Sequence, residues 1–378
     1  MSGLLSAPGA VQRLGLILAT LAAAMLGMGG PDAQPSGAVL LNLGVAAVLA
    51  LVVERVRGPD APGWGLALVL GLIAASLVTA AVLMVGALTG VEGAAFVAAA
   101  VALWLGGWML VAFLADLRRR PGWVGAVQAL LPPVVFGATL LWAWEAVVRA
   151  AAVPRVILPA PSVIAERIGR SGDVLWVDFV QTFVKGALSG FGIGVAAAVV
   201  VALVVDRSDF MRRGLLPVAS FAAALPIIGT APIMVMWFGF DWPSKAAVVV
   251  AMVFFPMLVN TVQGLAAAEA MQRDLMRTYN ASWGQALRKL HLPVAMPFIF
   301  NGLKISSTLA LIGAIVAEFF GSPTRGMGFR ISTEVGRLQL DMVWAEIAVA
   351  ALAGSLFYGF WALLEKRVTF WHPSQRAR

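Results

Sequence analysis

Long apolar runs separated by short polar segments make up most of this chain. The runs lie at about residues 13–30, 38–53, 65–89, 93–115, 126–149, 184–206, 215–238, 245–265, 294–317 and 343–364. An uncharged apolar run of about 18 residues or more is typical of a transmembrane helix. These runs lack the alternation that marks the strands of a membrane β-barrel. We therefore predict an all-α polytopic membrane protein with about ten transmembrane helices.

Glycine, proline and charged residues punctuate the breaks between the runs. We interpret the break DLRRRPG at 116–122 as the boundary between an extra four-span unit, residues 1–122, and a second unit, residues 123–378. The spans of the first unit hold hardly any polar residue. A transport path normally needs buried polar or ionisable groups, so the pattern favours a scaffold role for the first unit.

Composition agrees with the span pattern, since 61% of the residues are hydrophobic and only 12% are charged. The formal net charge is +8, but the basic residues lie in short loops, where the positive-inside rule accounts for them without nucleic acid. There is no cysteine, and the two histidines, His291 and His372, are far apart. We therefore expect no metal site and no cofactor.

The basic loops also orient the chain. With both termini in the cytoplasm, the most basic segments fall on one side, namely 54–63, 116–122, 207–213, a long polar insert at 268–293 and the tail at 366–378. The outer loops are then 31–37, 89–93, 150–183, 239–244 and 318–342, although two of them, 150–183 and 318–342, also carry arginines. The first run is interpreted as a span and not as a signal peptide, because more spans follow it closely.

The polar insert, residues 268–293, is the longest charged segment of the chain. It must lie outside the bilayer, where charged side chains are not desolvated. Helix formers dominate its start, residues 279–282 interrupt it, and Ser282 is a suitable N-cap for a second helix that runs from Trp283 to Pro293. Apolar side chains recur along it at helical spacing. The insert is therefore predicted to be a bent pair of short helices that docks another protein.

Other residues of the second unit indicate a helical bundle. Gly186, Gly190 and Gly194 recur every four residues, which lets two helices approach closely. Pro226 and Pro232 lie in one apolar run, so that span is either kinked or broken. Five polar residues within spans are candidates for a translocation path, although they could equally join helices: Asn260, Thr261, Ser306, Ser307 and Thr308.

Two charged residues flank the last of these polar groups. Glu318 is expected at the outer end of its span, facing water or Arg325. Lys304 lies near the inner end and is expected to extend its amino group towards the interface.

The motifs of common enzymes are missing. The chain has no Gly-Lys dipeptide and therefore no phosphate-binding loop of the G-x-x-x-x-G-K-[ST] kind. No Ser/His/Asp set or metal-ligand spacing occurs, so we expect a transport subunit and not an enzyme. Two alternatives stay open at this point, an ion-gradient-driven secondary transporter and a non-transporting membrane scaffold. The former would need carboxylates at mid-span, whereas Glu145 and Glu318 lie near span ends.

The polar insert resembles the "EAA" loop, E-A-A-x3-G-x9-I-x-L-P, of the membrane subunits of bacterial ABC importers. The spacing matches throughout, but Asp274 replaces Glu, Leu275 and Met276 replace Ala, Asn280 replaces Gly and Leu290 replaces Ile. Asn is the next-best residue if that position is left-handed. The resemblance assigns ATPase docking to Asp274, Leu275, Met276, Arg277, Tyr279, Asn280, Ala281, Leu290 and Pro293.

Other stretches resemble the nitrate/sulfonate/taurine-type permease branch, among them Leu158–Ser162, Gly190–Gly194 and Gly326–Gly328. The sequence around TYNAS and AEFFGSPTRGMGF is similar to that of permeases for thiamine-precursor pyrimidines or riboflavin. The resemblance implies a six-helix type I permease core in the second unit, preceded by four extra spans. It implies as partners a cytoplasmic ABC ATPase, a periplasmic solute-binding protein and a second permease copy in the bacterial inner membrane.

Overall fold

The computed structural model of the protein describes residues 37–56, 94–116, 122–208, 227–321 and 324–371, with single residues or pairs in the gaps. Several sequence predictions lie wholly or mostly outside these residues. They are the spans 13–30 and 65–89, the first half of span 215–238 with Pro226, the boundary segment 116–122, and His372 with the end of the basic tail. All regular elements among the described residues are helices, which confirms the all-α prediction for that part of the chain.

The chain divides into two compact units, Met1–Ala165 and Glu166–Arg378. The first unit contains three long described helices, α1 (Gly37–Val56), α2 (Ala94–Asp116) and α3 (Trp123–Ala150). They coincide with the predicted spans 38–53, 93–115 and 126–149. The short helix α4 (Pro161–Arg170) follows and crosses the division between the units.

A polar contact ties the end of α3 to the start of α4. Ser162 donates its backbone N–H to Glu145 Oε2 (2.9 Å) and its hydroxyl to Glu145 Oε1 (2.7 Å). Arg149, one turn after Glu145, also bonds that carboxylate and donates to Ser162 Oγ (2.9 Å). The buried carboxylate of Glu145 is therefore fully hydrogen-bonded, as a buried charge requires.

The second unit is built from seven described helices that follow α4. They are α5 (Gly172–Asp206), α6 (Ile227–Phe238), α7 (Trp242–Ala266), α8 (Ala270–Thr278), α9 (Trp283–Phe320), α10 (Met327–Gly336) and α11 (Leu340–Val368). The predicted outer loops 150–183 and 318–342 are thus largely helical, because they contain α4, the start of α5 and α10. Five described helices, α3, α5, α7, α9 and α11, are long and apolar enough to cross a membrane.

The glycine repeat of α5 packs against α7, which confirms the predicted close approach of two helices. A Cβ atom at Gly190 would lie 2.5 Å from Val249 Cβ, and one at Gly194 would lie 3.3 Å from Val250 Cα. A Cβ atom at Gly186 would be in ordinary contact with Lys245 and Ala314, at 3.5 Å. Small residues bring helices together in a membrane because dispersion contacts there replace the hydrophobic effect.

Candidate functional site

The polar insert begins with a capped helix. In the structure α8 starts after Glu269, whose side chain accepts the N–H of Gln272 while the Gln272 side chain accepts the N–H of Glu269. This reciprocal capping box satisfies two of the free N–H groups at the helix start. Nothing in the sequence analysis identified this cap, although Glu269 and Gln272 have the three-residue spacing that the motif requires.

The bend after α8 has the predicted form. Asn280 adopts a left-handed conformation with φ 48°, the condition under which Asn can replace the Gly of the related loops. The N–H groups of Asn280 and Ala281 close the turn on the carbonyls of Arg277 (2.8 Å) and Met276 (3.0 Å). Ser282 then caps α9 in a second capping box with Gln285, which confirms the predicted N-cap.

One face of α8 presents apolar side chains to the exterior. Met271, Leu275 and Tyr279, four residues apart, are 76%, 55% and 77% exposed. Asp274 and Arg277 are also exposed and approach each other at 3.4 Å, a surface pair that contributes little to stability. The side chains of Met276, Ala281, Leu290 and Pro293 are half-buried. The insert therefore offers a solvated apolar face that nothing in the described chain covers.

The second half of the insert is fixed to the helical bundle. Leu287 is buried in a cluster with Leu265 of α7 and Ala295 of α9. His291 Nδ1 lies 2.8 Å from the carbonyl oxygen of Leu265, and the guanidinium of Arg207 lies 5.3 Å from the ring centre of Trp283. The start of α9 is therefore anchored to the ends of α5 and α7.

The prediction that the second helix of the insert ends at Pro293 is wrong. Helix α9 runs without interruption from Trp283 through Pro293 to Phe320. Residues Leu287–His291 form a π-helical turn directly before the proline. Proline lacks a backbone N–H and crowds the preceding turn, and a locally widened turn accommodates it without breaking the helix. The second half of the insert and the following span are consequently one element.

The five translocation-path candidates are divided by their burial. Thr261, Ser306 and Ser307 are at most 1% exposed within the bundle. The hydroxyl of Thr261 donates to the carbonyl of Met257 (2.8 Å), and that of Ser307 to the carbonyl of Lys304 (2.7 Å). These two hydroxyls are satisfied by their own helices, as Ser and Thr often are in membrane spans.

Asn260 and Thr308 are accessible from outside the bundle. Asn260 is half-buried and accepts a hydrogen bond from Asn301 (3.1 Å), an exposed residue that the sequence analysis did not select. Thr308 lines a groove of about 620 Å³ between α9 and α11, together with Ser355 and Tyr358. Lys304 was expected to extend its amino group towards the interface. Its amino group instead forms an ion pair with Glu365 of α11, at 2.7 Å.

The opposite end of the unit holds a polar cluster that the sequence analysis missed. Glu318 was expected to face water or Arg325, and this is wrong, because Glu318 is buried. It accepts hydrogen bonds from Thr182 Oγ1 (2.9 Å) and the N–H of Gly328 (2.8 Å). Asp178, also buried, accepts the N–H of Gly326 (2.6 Å) and Arg330 Nε (2.8 Å).

Arg330 ties α10 to α5 within this cluster. Burial by itself lowers the pKa of the Arg330 guanidinium, but the hydrogen bond and the negative charge of Asp178 outweigh that effect, so the pKa is raised. Its charge is therefore permanent. Asp178 lies among apolar residues of α5, and an isolated acid of that kind is a sequence signal that could have indicated the cluster.

Comparison with known proteins agrees with this architecture. Residues 190–370 match the family described as "Binding-protein-dependent transport system inner membrane component". A probable ABC transporter permease protein of Haemophilus influenzae is 30% identical over 223 residues, which are 58% of this chain and 89% of that protein.

Two further relatives have names that include a transported compound. A putative aliphatic sulfonates transport permease protein of Bacillus subtilis is 28% identical over 260 residues, 68% of this chain and 91% of that protein. A formylaminopyrimidine transport permease protein of Halalkalibacterium halodurans is 29% identical over 245 residues, 65% of this chain and 97% of that protein. The chain therefore belongs to the family of binding-protein-dependent transport system inner membrane components, and it is the multi-pass permease subunit of an ABC importer with the type I fold.

Proposed function

We propose that this permease imports a small solute, either of the sulfonate, nitrate or taurine type or a pyrimidine- or riboflavin-like heterocycle. A periplasmic binding protein delivers the solute, and a separate cytoplasmic ATPase drives the transport. The names of the Bacillus and Halalkalibacterium relatives support these two classes. A thermal-shift screen of the partner binding protein against sulfonates, pyrimidines and flavins tests the choice. Stabilisation by none of them contradicts it.

The exposed apolar face of α8 is the observation that carries the ATPase assignment. The insert that carries Met271, Leu275 and Tyr279 is charged and is therefore expected to lie in water. These three apolar side chains are nevertheless largely exposed in the described chain. Exposed apolar side chains at the centre of a polar rim are typical of a protein interface. The fixed attachment of Leu287 and His291 to the bundle supports a role in passing ATPase motion to the spans.

Substitutions on this face test the docking role. Leu275→Asp and Tyr279→Asp should abolish co-purification of the ATPase subunit and solute uptake, whereas Lys289→Ala, an exposed change in the same insert, should leave both intact. Bulky residues at Asp274 or Asn280 should likewise uncouple the ATPase. Normal membrane insertion with loss of ATPase binding supports the proposal, and uptake with a bound ATPase in Leu275→Asp overturns it.

The accessible polar residues are the better path candidates. We assign Asn260, Asn301 and Thr308 to a path formed by two copies of the chain, and we assign a packing role to the buried residues Thr261 and Ser307, whose hydroxyls bond within their own helices. The chain has no cysteine, so an introduced cysteine is its only thiol. Thr308→Cys should react with a polar thiol reagent and be protected by solute, whereas the neighbouring buried position, Ser307→Cys, should not react. Equal labelling of both variants contradicts this assignment.

The ten-span topology in the bacterial inner membrane, with both termini in the cytoplasm, is part of the proposal. A reporter fused after residue 378 should be active in the cytoplasm only. Deletion of residues 1–120 removes an even number of predicted spans and should leave that reporter on the same side. A periplasmic signal from either fusion is the result that would refute the topology.

A further inference from the structure

Four carboxyl groups are buried where α5, α9, α10 and α11 meet. Asp178 and Glu346 are 0% exposed, Glu318 2% and Glu334 4%. They come from four different helices, and the residues in contact are up to 152 positions apart in sequence. A buried carboxylate is strongly disfavoured unless donors or cations compensate it. Each of the four therefore needs a stated partner.

Three of the carboxyl groups have such partners. Asp178 is bonded by Arg330 and by the N–H of Gly326. Glu318 is bonded by Thr182 and by the N–H of Gly328, and it is attracted by Lys245, whose Nζ donates to the carbonyls of Phe240 and Gly321. Glu334 is paired with Arg337 at 3.1 Å. Arg330, Lys245 and Arg337 are thus the cations that act on Asp178, Glu318 and Glu334.

Glu346 is the fourth. Both of its carboxyl oxygens are buried, and neither accepts a hydrogen bond from any described group. The carboxyl group of Asp178 lies within hydrogen-bonding reach of Glu346. Arg330 and Glu318 also act on Glu346 electrostatically. Two carboxyl groups in contact cannot both be ionised without strong repulsion, and a shared proton removes the repulsion.

We propose that Glu346 is a proton-binding site, and that its protonated carboxyl group donates a hydrogen bond to Asp178. The proton balances the four acids against the three cations. It also leaves Asp178 free to hold α10 through Gly326 and Arg330. Loss of the proton would place two negative charges side by side and draw Arg330 away from Asp178, so α10 would loosen from α5.

A metal ion is a poorer occupant of this cluster. Among the described residues, no three carboxylate or histidine side chains converge in a way that could hold a metal ion. A proton needs only the pair of oxygens that Glu346 and Asp178 provide. The proposal concerns the end of the bundle remote from the polar insert and does not depend on which solute or ATPase the permease uses.

Infrared spectroscopy of the purified protein tests the proposal directly. A protonated carboxyl group has a C=O stretching band that an ionised carboxylate lacks. The wild-type protein should show this band, and Glu346→Gln should lose it. The amide of Gln has the same shape and can donate its N–H to Asp178, so the Tm of Glu346→Gln should equal or exceed that of the wild type.

Glu365→Gln is the matched control, because Glu365 lies in the same helix but is ion-paired with Lys304. It should keep the carboxylic-acid band and lower the Tm. The proposal is overturned if Glu346→Gln retains the band, fails to fold, or loses as much Tm as Glu365→Gln. It is also overturned if sodium chloride, relative to choline chloride, stabilises the wild type but not Glu346→Gln, since that would indicate a bound cation.

Discussion

Gly190→Ala should destabilise the helical bundle, although alanine is the better helix former. The new Cβ atom would lie 2.5 Å from Val249 Cβ and 2.7 Å from the carbonyl oxygen of Ala246, whereas ordinary contacts begin at 3.4 Å. Helices α5 and α7 would therefore have to separate by roughly 0.9 Å at this crossing, because one obstacle is backbone and the other is a stiff β-branched side chain.

The magnitude follows from two opposing effects. Replacing glycine by alanine within a helix gains about 1 kcal/mol, and overpacking a well-filled core costs about 1–3 kcal/mol. Separation also removes dispersion contacts along the glycine repeat, in a membrane where these contacts drive helix association. The cost should therefore exceed the gain, and we expect a net loss of about 1–2 kcal/mol in unfolding free energy.

Gly192→Ala is the matched control, because it lies in the same helix and a Cβ atom there would meet nothing within 4 Å. Thermal unfolding of both variants in the same detergent is the assay. Gly190→Ala should unfold at a lower temperature than the wild type, and Gly192→Ala at an equal or higher one. If the two variants unfold together, the contact between α5 and α7 does not limit side-chain size at residue 190, and the packing argument fails.

Three further predictions concern the attachment of the polar insert and the bundle beneath it. Asn280→Gly should retain ATPase-coupled uptake, whereas Asn280→Val should lower it, because the left-handed backbone costs a β-branched residue about 1–2 kcal/mol. Gly264→Ala, whose Cβ atom would lie 3.1 Å from Ala295 Cα, should reduce uptake per ATP hydrolysed, while Gly284→Ala, which meets nothing within 4 Å, should not. Lys304→Met should lower the unfolding free energy by on the order of 3 kcal/mol, because it leaves Glu365 buried and unpaired. The double mutant with Glu365→Leu should recover most of this loss, and additive losses in the double-mutant cycle would contradict the pairing.

Local features of the site were predictable from the sequence because local chemistry decides them. The helix–bend–helix form of the insert follows from the residues on either side of 279–282. The N-cap at Ser282 follows from a hydroxyl placed before a helical run. The close approach of α5 and α7 follows from the spacing of three glycines. A helix face without side chains allows close packing whichever helix lies against it.

The features that escaped prediction depend on partners remote in sequence. Glu318 looked exposed because it ends a span, but Thr182, 136 positions away, and Gly328 bury and bond it. Asp178 is satisfied by Gly326 and Arg330, which no periodicity relates to it. The predicted helix end at Pro293 was wrong for another reason. Proline usually ends a helix, and the π-helical turn that lets α9 continue through it has no sequence signal.

The continuity of α9 has a mechanical consequence. A 38-residue helix is roughly 57 Å long at 1.5 Å per residue, nearly twice the thickness of the bilayer's hydrocarbon core. It is a single helix with the polar insert at one end and Glu318 near the other. A tilt of about 5° around its midpoint would displace each end by about 2.5 Å in opposite directions. A small displacement at the polar insert would thus reach the Glu318 end in one step, because no loop interrupts the helix between them.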